Sequence, residues 1–118
     1  MTSEMDWGKL ITRRVAAEIK RRRGGNTVQW VADRTAELGY AVSRSRISDI
    51  EAGKRGGPIG VAELIVIAEA LEMPPLELIY GSSLVTNEVE YLPGKSTTAW
   101  GALLRFAGEL PSGSDRGY

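Results

Sequence analysis

The stretch "SRSRISDIEAGKR", residues 43–55, gathers the side chains of this sequence most able to do chemistry. It holds Arg44, Arg46, Lys54 and Arg55 as cations, Asp49 and Glu51 as carboxylates, and Ser43, Ser45 and Ser48 as hydroxyls. An arginine presents a planar fork of donors that fits phosphate, or guanine O6 and N7, with two bonds at once. A carboxylate can accept from cytosine N4. Catalysis is harder to assemble from the same residues, because Asp49 and Glu51 lie two apart on a helix and point in different directions. The chain has no histidine and no cysteine, which removes the commonest general base, disulfides and thiolate metal sites. The expectation is therefore a binding protein, with no enzymatic activity, metal or cofactor.

The whole chain sets the frame for these residues. Its 118 residues, 42% hydrophobic and 25% charged, suit one compact domain with a short appendage and a modest core. The first residues are polar and no run approaches the roughly 18 apolar residues of a membrane span, so a soluble, cytoplasmic protein is expected. Net charge is zero, yet its distribution is uneven. About 12 Lys and Arg stand against 7 Asp and Glu through Gly60, and about 3 against 8 beyond it. A basic half joined to an acidic half points to a polyanionic partner at one end, although arginines also serve simply to solvate an outer helix face.

The elements that must carry these side chains read mostly as helices. Leu10, Ile11, Val15 and Ile19 form one stripe from Trp7 to about Arg23, stopped by "GGN" at residues 24–26. Thr27 is suited to cap a second helix whose inner face is Val28, Val31, Ala32, Thr35 and Leu38, ending at Gly39. Ser43 caps the third, Ile47 and Ile50 face inward, and Gly53 ends it. After "GKRGGPIG", a loop by composition, Val61, Leu64, Ile65, Ala68 and Leu71 mark a fourth helix. Pro75 opens a short fifth that reaches Tyr80.

The run "VQWVADRTAELGYAVSRSRISDIEAGKR" followed by "VAELIVIAEALEMPPLELI" resembles the helix-turn-helix of the λ repressor-like, XRE family of bacterial transcriptional regulators. "ISDIEAGKR" matches the family's "IS-x-I-E-x-G-K/R" run; Ala32 matches the small residue at the helix crossing and Gly39 the turn glycine. The resemblance covers about residues 9–80 and implies an all-α, five-helix λ repressor-like domain over 7–80. There are departures: "DRTAELGYAV" between Ala32 and Ser43 is about five residues longer than in the shortest members, Val28 replaces a usual glutamine, and "RGGPIG" replaces a tighter turn. The longer insert implies a longer second helix or a wider turn.

What the resemblance implies is sequence-specific binding of double-stranded DNA, with helix 43–52 in the major groove. Arg44, Ser45, Arg46 and Asp49 are the candidates for base edges. Thr27, Gln29, Ser43, Ser48, Lys54 and Arg55 are the candidates for phosphates. Glu51 falls on a family position that is structural, paired with a basic residue of the first helix; helix geometry allows Arg22 and the motif alignment favours Arg21. Trp7 and Trp30 read as packing or partner surface more readily than as base-stacking platforms.

Residues 81–118 form an extension. "LVTNEVEYL" alternates Val85, Asn87, Val89 and Tyr91 as an extended segment, "PGKSTT" turns it, and Thr98 is placed to cap a last short helix. Trp100, Leu103, Leu104 and Ala107 read as its apolar stripe, a candidate dimer contact, before a frayed "PSGSDRGY" tail. A homodimer on a palindromic operator is the expected assembly. The alternative is an antitoxin or protein-interaction module that uses the same fold with weak or no DNA binding.

Overall fold

The computed structural model describes residues 4–53, 58–81 and 88–108, with side chains from Trp7 onward. Helices α1 (Glu4–Arg23), α2 (Val28–Glu37), α3 (Arg44–Ala52), α4 (Val61–Ala70) and α5 (Pro75–Tyr80) come first. Strands β1 (Glu88–Leu92) and β2 (Lys95–Thr98) and helix α6 (Ala99–Phe106) follow. The described residues are thus mostly helical, with one small antiparallel sheet. Among the described residues, no helix is long and apolar enough to cross a membrane.

Local chemistry sets most boundaries. The Thr27 hydroxyl accepts the Trp30 N–H at 3.0 Å, Ser43 that of Arg46 at 3.1 Å, and Thr98 that of Gly101 at 3.0 Å. Each side chain thereby satisfies a backbone donor that a helix start leaves without a partner, as the sequence predicts. Pro75 opens α5, where its missing N–H costs nothing. Gly53 ends α3 in the left-handed conformation at φ 69, a turn that side-chain-bearing residues adopt at a cost.

The main core is a single cluster in which every helix from α1 to α5 takes part. Ile19, Val31, Ile47, Ile67 and Leu78 are completely enclosed, one from each of these helices. Burial of such side chains stabilises by roughly 1.5–3 kcal/mol each, before the entropic cost of ordering the chain. The stripe of α4 needs correction. Val61 and Ile65, expected inside, are 75% and 54% exposed, while Val66, Ile67 and Ala70 join Ala68 and Leu71 in the core. "VAELIVIAEAL" is apolar nearly all round, so several helical phases fit it equally and only the packed neighbours select one. Leu10 and Leu38 also lie at the surface, each 45% exposed.

Thr35 is a polar exception inside this core, completely buried. Its hydroxyl donates to the Ala32 carbonyl at 2.7 Å and accepts the Val42 N–H at 2.9 Å. One side chain on α2 therefore holds the segment that leads into α3.

A second, smaller cluster joins the C-terminal elements to the helices. Tyr80, Val89, Ala99 and Ala102 are buried together, with Leu76, Ile79, Tyr91 and Leu103 packed against them. In the hairpin Val89 lies opposite Thr97 and Glu90 opposite Ser96, with an irregularity between Glu90 and Leu92. The expected extended segment is present from Glu88; residues Val85 and Asn87 lie outside the described residues, as does the 111–118 tail. "KSTT", read as part of a turn, is the second strand. The indole Nε1 of Trp7 donates to the Glu90 carbonyl at 2.6 Å, tying the start of α1 to β1.

Helix α6 is in a different phase from the one expected. Ala99 and Ala102 are the buried pair, Leu103 is half-buried against the same cluster, and Trp100 is 48% exposed. Ala107 is exposed. The Thr98 cap fixes the start of the helix and so its rotation. At Gly101 the helix passes close to the end of β2, where a Cβ would stand 2.5 Å from Thr97 Oγ1. Leu103 is therefore engaged within its own chain, whereas Trp100 and the half-buried Leu104, four residues apart, share an outer face.

Candidate nucleic-acid interface

Helix α3 is anchored from within by Ile47 and Ile50, 0% and 5% exposed. With those two inward, helical spacing turns Ser45 and Ser48 away from the core, and Arg44, at the first position of the helix, is exposed with them. The outward surface is one arginine set among small hydroxyl residues at the N-terminal end of a helix, where the backbone dipole is positive. Ser43 begins this surface as the cap, its hydroxyl 3.4 Å from that of Ser45.

Arg46 does not belong to this surface. Its Nε donates to Glu63 Oε2 at 2.7 Å and its Nη2 to Glu63 Oε1 at 2.8 Å, with a further bond to the Pro58 carbonyl at 3.1 Å. In the structure the guanidinium of Arg46, a candidate for base edges, clamps α3 to the entry of α4. Glu63 is the partner because it serves two ends at once: its Oε1 also accepts the Gly60 N–H at 2.8 Å, closing the start of α4. The hydrogen bond from Arg46 is the main reason that the Glu63 carboxyl sits below its ordinary value, helped by the Gly60 N–H and opposed by burial. Asp49, half-buried, adds a second negative charge near Arg46 and lies at the flank of the outward surface.

Glu51 is held by Arg23, and neither Arg21 nor Arg22 is its partner. Arg23 Nε donates to Glu51 Oε2 at 2.8 Å and Nη2 to Oε1 at 3.0 Å, while Nη1 caps the Asn26 carbonyl at 2.9 Å. Both side chains are largely shielded, 17% and 9% exposed. Arg21 bonds Glu18 on its own helix at 2.9 Å, and Arg22 is exposed. The expected structural pairing of Glu51 with α1 is present, shifted by one or two residues because the last turn of α1 runs on to Arg23.

The start of α2 is more occupied than the sequence suggests. Thr27 serves as its cap, and the Gln29 amide donates to Asp33 at 2.8 Å, which places a carboxylate beside a residue expected at phosphate. Trp30 lies under the Arg34 guanidinium, 5.2 Å from its ring centre, while Arg34 Nε donates to the Ala70 carbonyl at 2.9 Å. Trp30 thus helps to dock α2 on the end of α4 and is no free stacking platform. Lys54 and Arg55 lie outside the described residues. Among the described residues, no group of carboxylates could hold a metal ion.

No family model, no curated protein and no solved structure matches the chain. The site therefore stands on its own geometry.

Sequence reasoning missed two residues that organise it, Arg23 and Glu63, and the bonds of a third, Thr35. Arg23 was open to selection as the last of "RRR", whose cations lie in the final turn of α1 and suit its negative end. Glu63 carried a signal too, three residues after the loop glycine Gly60, the spacing at which a glutamate reaches back to a helix start. Spacing placed Thr35 on the inner face of α2, while its bond to the Val42 N–H, seven residues on, had no local signal.

Proposed function

We propose that the protein binds double-stranded DNA in a sequence-selective way, as a transcriptional regulator with a helix-turn-helix formed by α2 and α3. The observation that carries this reading is the division of α3 into two faces. Its inner face is fixed by Ile47, Ile50 and the ion pairs of Arg46 and Glu51, leaving Arg44, Ser45 and Ser48 together outside. The major groove admits one α-helix, and small outward residues let the helix backbone come close to base edges while Arg44 reaches guanine. Preorganisation matters here because a rigid reader loses less entropy on binding. The resemblance of residues 9–80 to the XRE family supports the same reading, with the cytoplasm as its place of action and no catalytic role.

A homodimer on a palindromic site completes the proposal, since two such helices one groove turn apart multiply weak half-site affinities. Selection of bound fragments from random duplex DNA tests both parts. A recurring motif with two-fold symmetry is the expected result; absence of any enriched sequence at low salt excludes this function.

A second reading, a protein-interaction module, draws on the exposed pair Val61 and Ile65 on α4. Two adjacent apolar residues one helical turn apart suit a partner helix. Failure of the DNA selection would favour it.

A further inference from the structure

Helix α3 carries two arginines in its first turn, and the fold treats them differently. Arg46 is committed: Glu63 holds its Nε and Nη2, and the Pro58 carbonyl takes a further bond. Arg44 is exposed, and among the described residues its side chain has no hydrogen-bond or ion-pair partner. The other exposed side chains of α3 are Ser45, Ser48 and Ala52. A hydroxyl both donates and accepts, turning to suit whatever base edge it meets, and an alanine offers only a methyl group. None of the three imposes a hydrogen-bond pattern on a base. Asp49 is half-buried, one turn along from Arg46 and within reach of its charge. Arg44 is thus the one exposed side chain of α3 whose donors are fixed in number and direction.

We infer that α3 dictates a single base for each bound copy of the chain, a guanine whose O6 and N7 take the fork of Arg44, and tolerates any base at the adjoining positions. The inference rests on the DNA-binding reading and narrows it to the chemistry of the operator. Guanine is the match because it alone presents two acceptors side by side in the major groove. Adenine places a donor where O6 would be, cytosine offers a donor and thymine a single acceptor, while a guanidinium has only donors to give. A wrong base there leaves the fork half-paired in a site from which water has been removed, and weakens binding by about 10-fold or more. A wrong base beside Ser45 or Ser48 still leaves the hydroxyl a partner. A code of one base recurs throughout any long duplex, so in a homodimer the selectivity lies in the spacing between two guanines.

Selection from random duplex DNA, run in parallel on the wild-type chain and on Arg44→Gln, tests this code, with circular dichroism to verify that the variant is folded. The wild type should enrich one G·C pair per half-site. Replacing that guanine should weaken binding by about 10-fold or more, and replacing an adjoining base should change it by less than about 3-fold. Arg44→Gln should move the preference at that one position from guanine to adenine, whose N6 and N7 a glutamine fits. 7-Deazaguanine at the same position lacks the N7 acceptor; it should weaken the wild type by about 5-fold or more and leave Arg44→Ala unaffected. The wild-type half of that measurement needs no variant. A motif with two or more equally strong adjoining positions, a strongest position other than guanine, or indifference of the wild type to 7-deazaguanine overturns the inference and leaves DNA binding standing. So does a folded Arg44→Gln chain that still selects guanine. Absence of any enriched sequence at low salt overturns both.

Discussion

Arg46 of α3 and Glu63 of α4 form a two-pronged ion pair, 2.7 and 2.8 Å, across the junction between those helices. Their side chains are 21% and 18% exposed, shielded enough that the pair differs from an ordinary surface salt bridge. Arg46→Ala should therefore lower unfolding free energy by about 1.5–3 kcal/mol, read by urea denaturation. An Arg46→Ala variant of unchanged stability that loses preference at one base position would return this arginine to the reading surface.

The same pair gives an acid dependence. The folded carboxyl of Glu63 is held below its ordinary value, so the contribution is complete above that ordinary value and is lost as pH falls through the folded one. The stability gap between wild type and Glu63→Gln should be widest near about pH 6 and narrow toward about pH 3. A gap that stays constant over this range is incompatible with the depressed carboxyl.

Arg23 and Glu51 call for a double-mutant cycle. Arg23→Ala and Glu51→Ala should each destabilise by about 1.5–3 kcal/mol, and the double variant by clearly less than the sum. Arg21→Ala and Arg22→Ala should stay within about 0.5 kcal/mol of wild type. Coupling to Arg21 or Arg22 in place of Arg23 would contradict the geometry.

Thr35→Val preserves shape and removes the hydroxyl that accepts the Val42 N–H. The backbone donor left behind is buried, and the expected loss is about 1–3 kcal/mol, measured by thermal or urea unfolding. Hydrogen exchange at Val42 should accelerate relative to the α1 core.

Arg44→Ala should leave stability unchanged and lower affinity for the selected duplex by about 1–3 kcal/mol, relaxing preference at one base position. Equal weakening on every duplex would make Arg44 a phosphate contact instead.

What could be read from the sequence follows physical range. Caps at Thr27, Ser43 and Thr98, the stop at Gly53 and the start at Pro75 depend on residues one to three positions away, so those boundaries were legible. The inward placing of Ile47 and Ile50 was legible too, because polar residues surround them and leave one phase. In α4 the apolar run allowed several phases, and the choice belonged to its neighbours. The partners of Arg46 and Glu51 lie 17 and 28 residues away in sequence, where a cluster of cations offers more pairings than any local rule can separate. The strand at "KSTT" is polar and short, and it exists through its pairing with Glu88–Leu92.

The bond from Trp7 to the Glu90 carbonyl spans 83 positions of sequence. It closes the longest loop among the side-chain bonds described above, and loop closure is the slow part of making distant contacts. Helices α1 to α5 hold most of the enclosed apolar side chains. The hairpin and α6 follow them in the chain and are synthesised last. On a ribosome this order is enforced: at roughly 5–20 residues per second, the first turns of α1 wait seconds for the strand that will hold Trp7. Through that interval the indole N–H of Trp7 is without the Glu90 carbonyl that holds it in the finished fold.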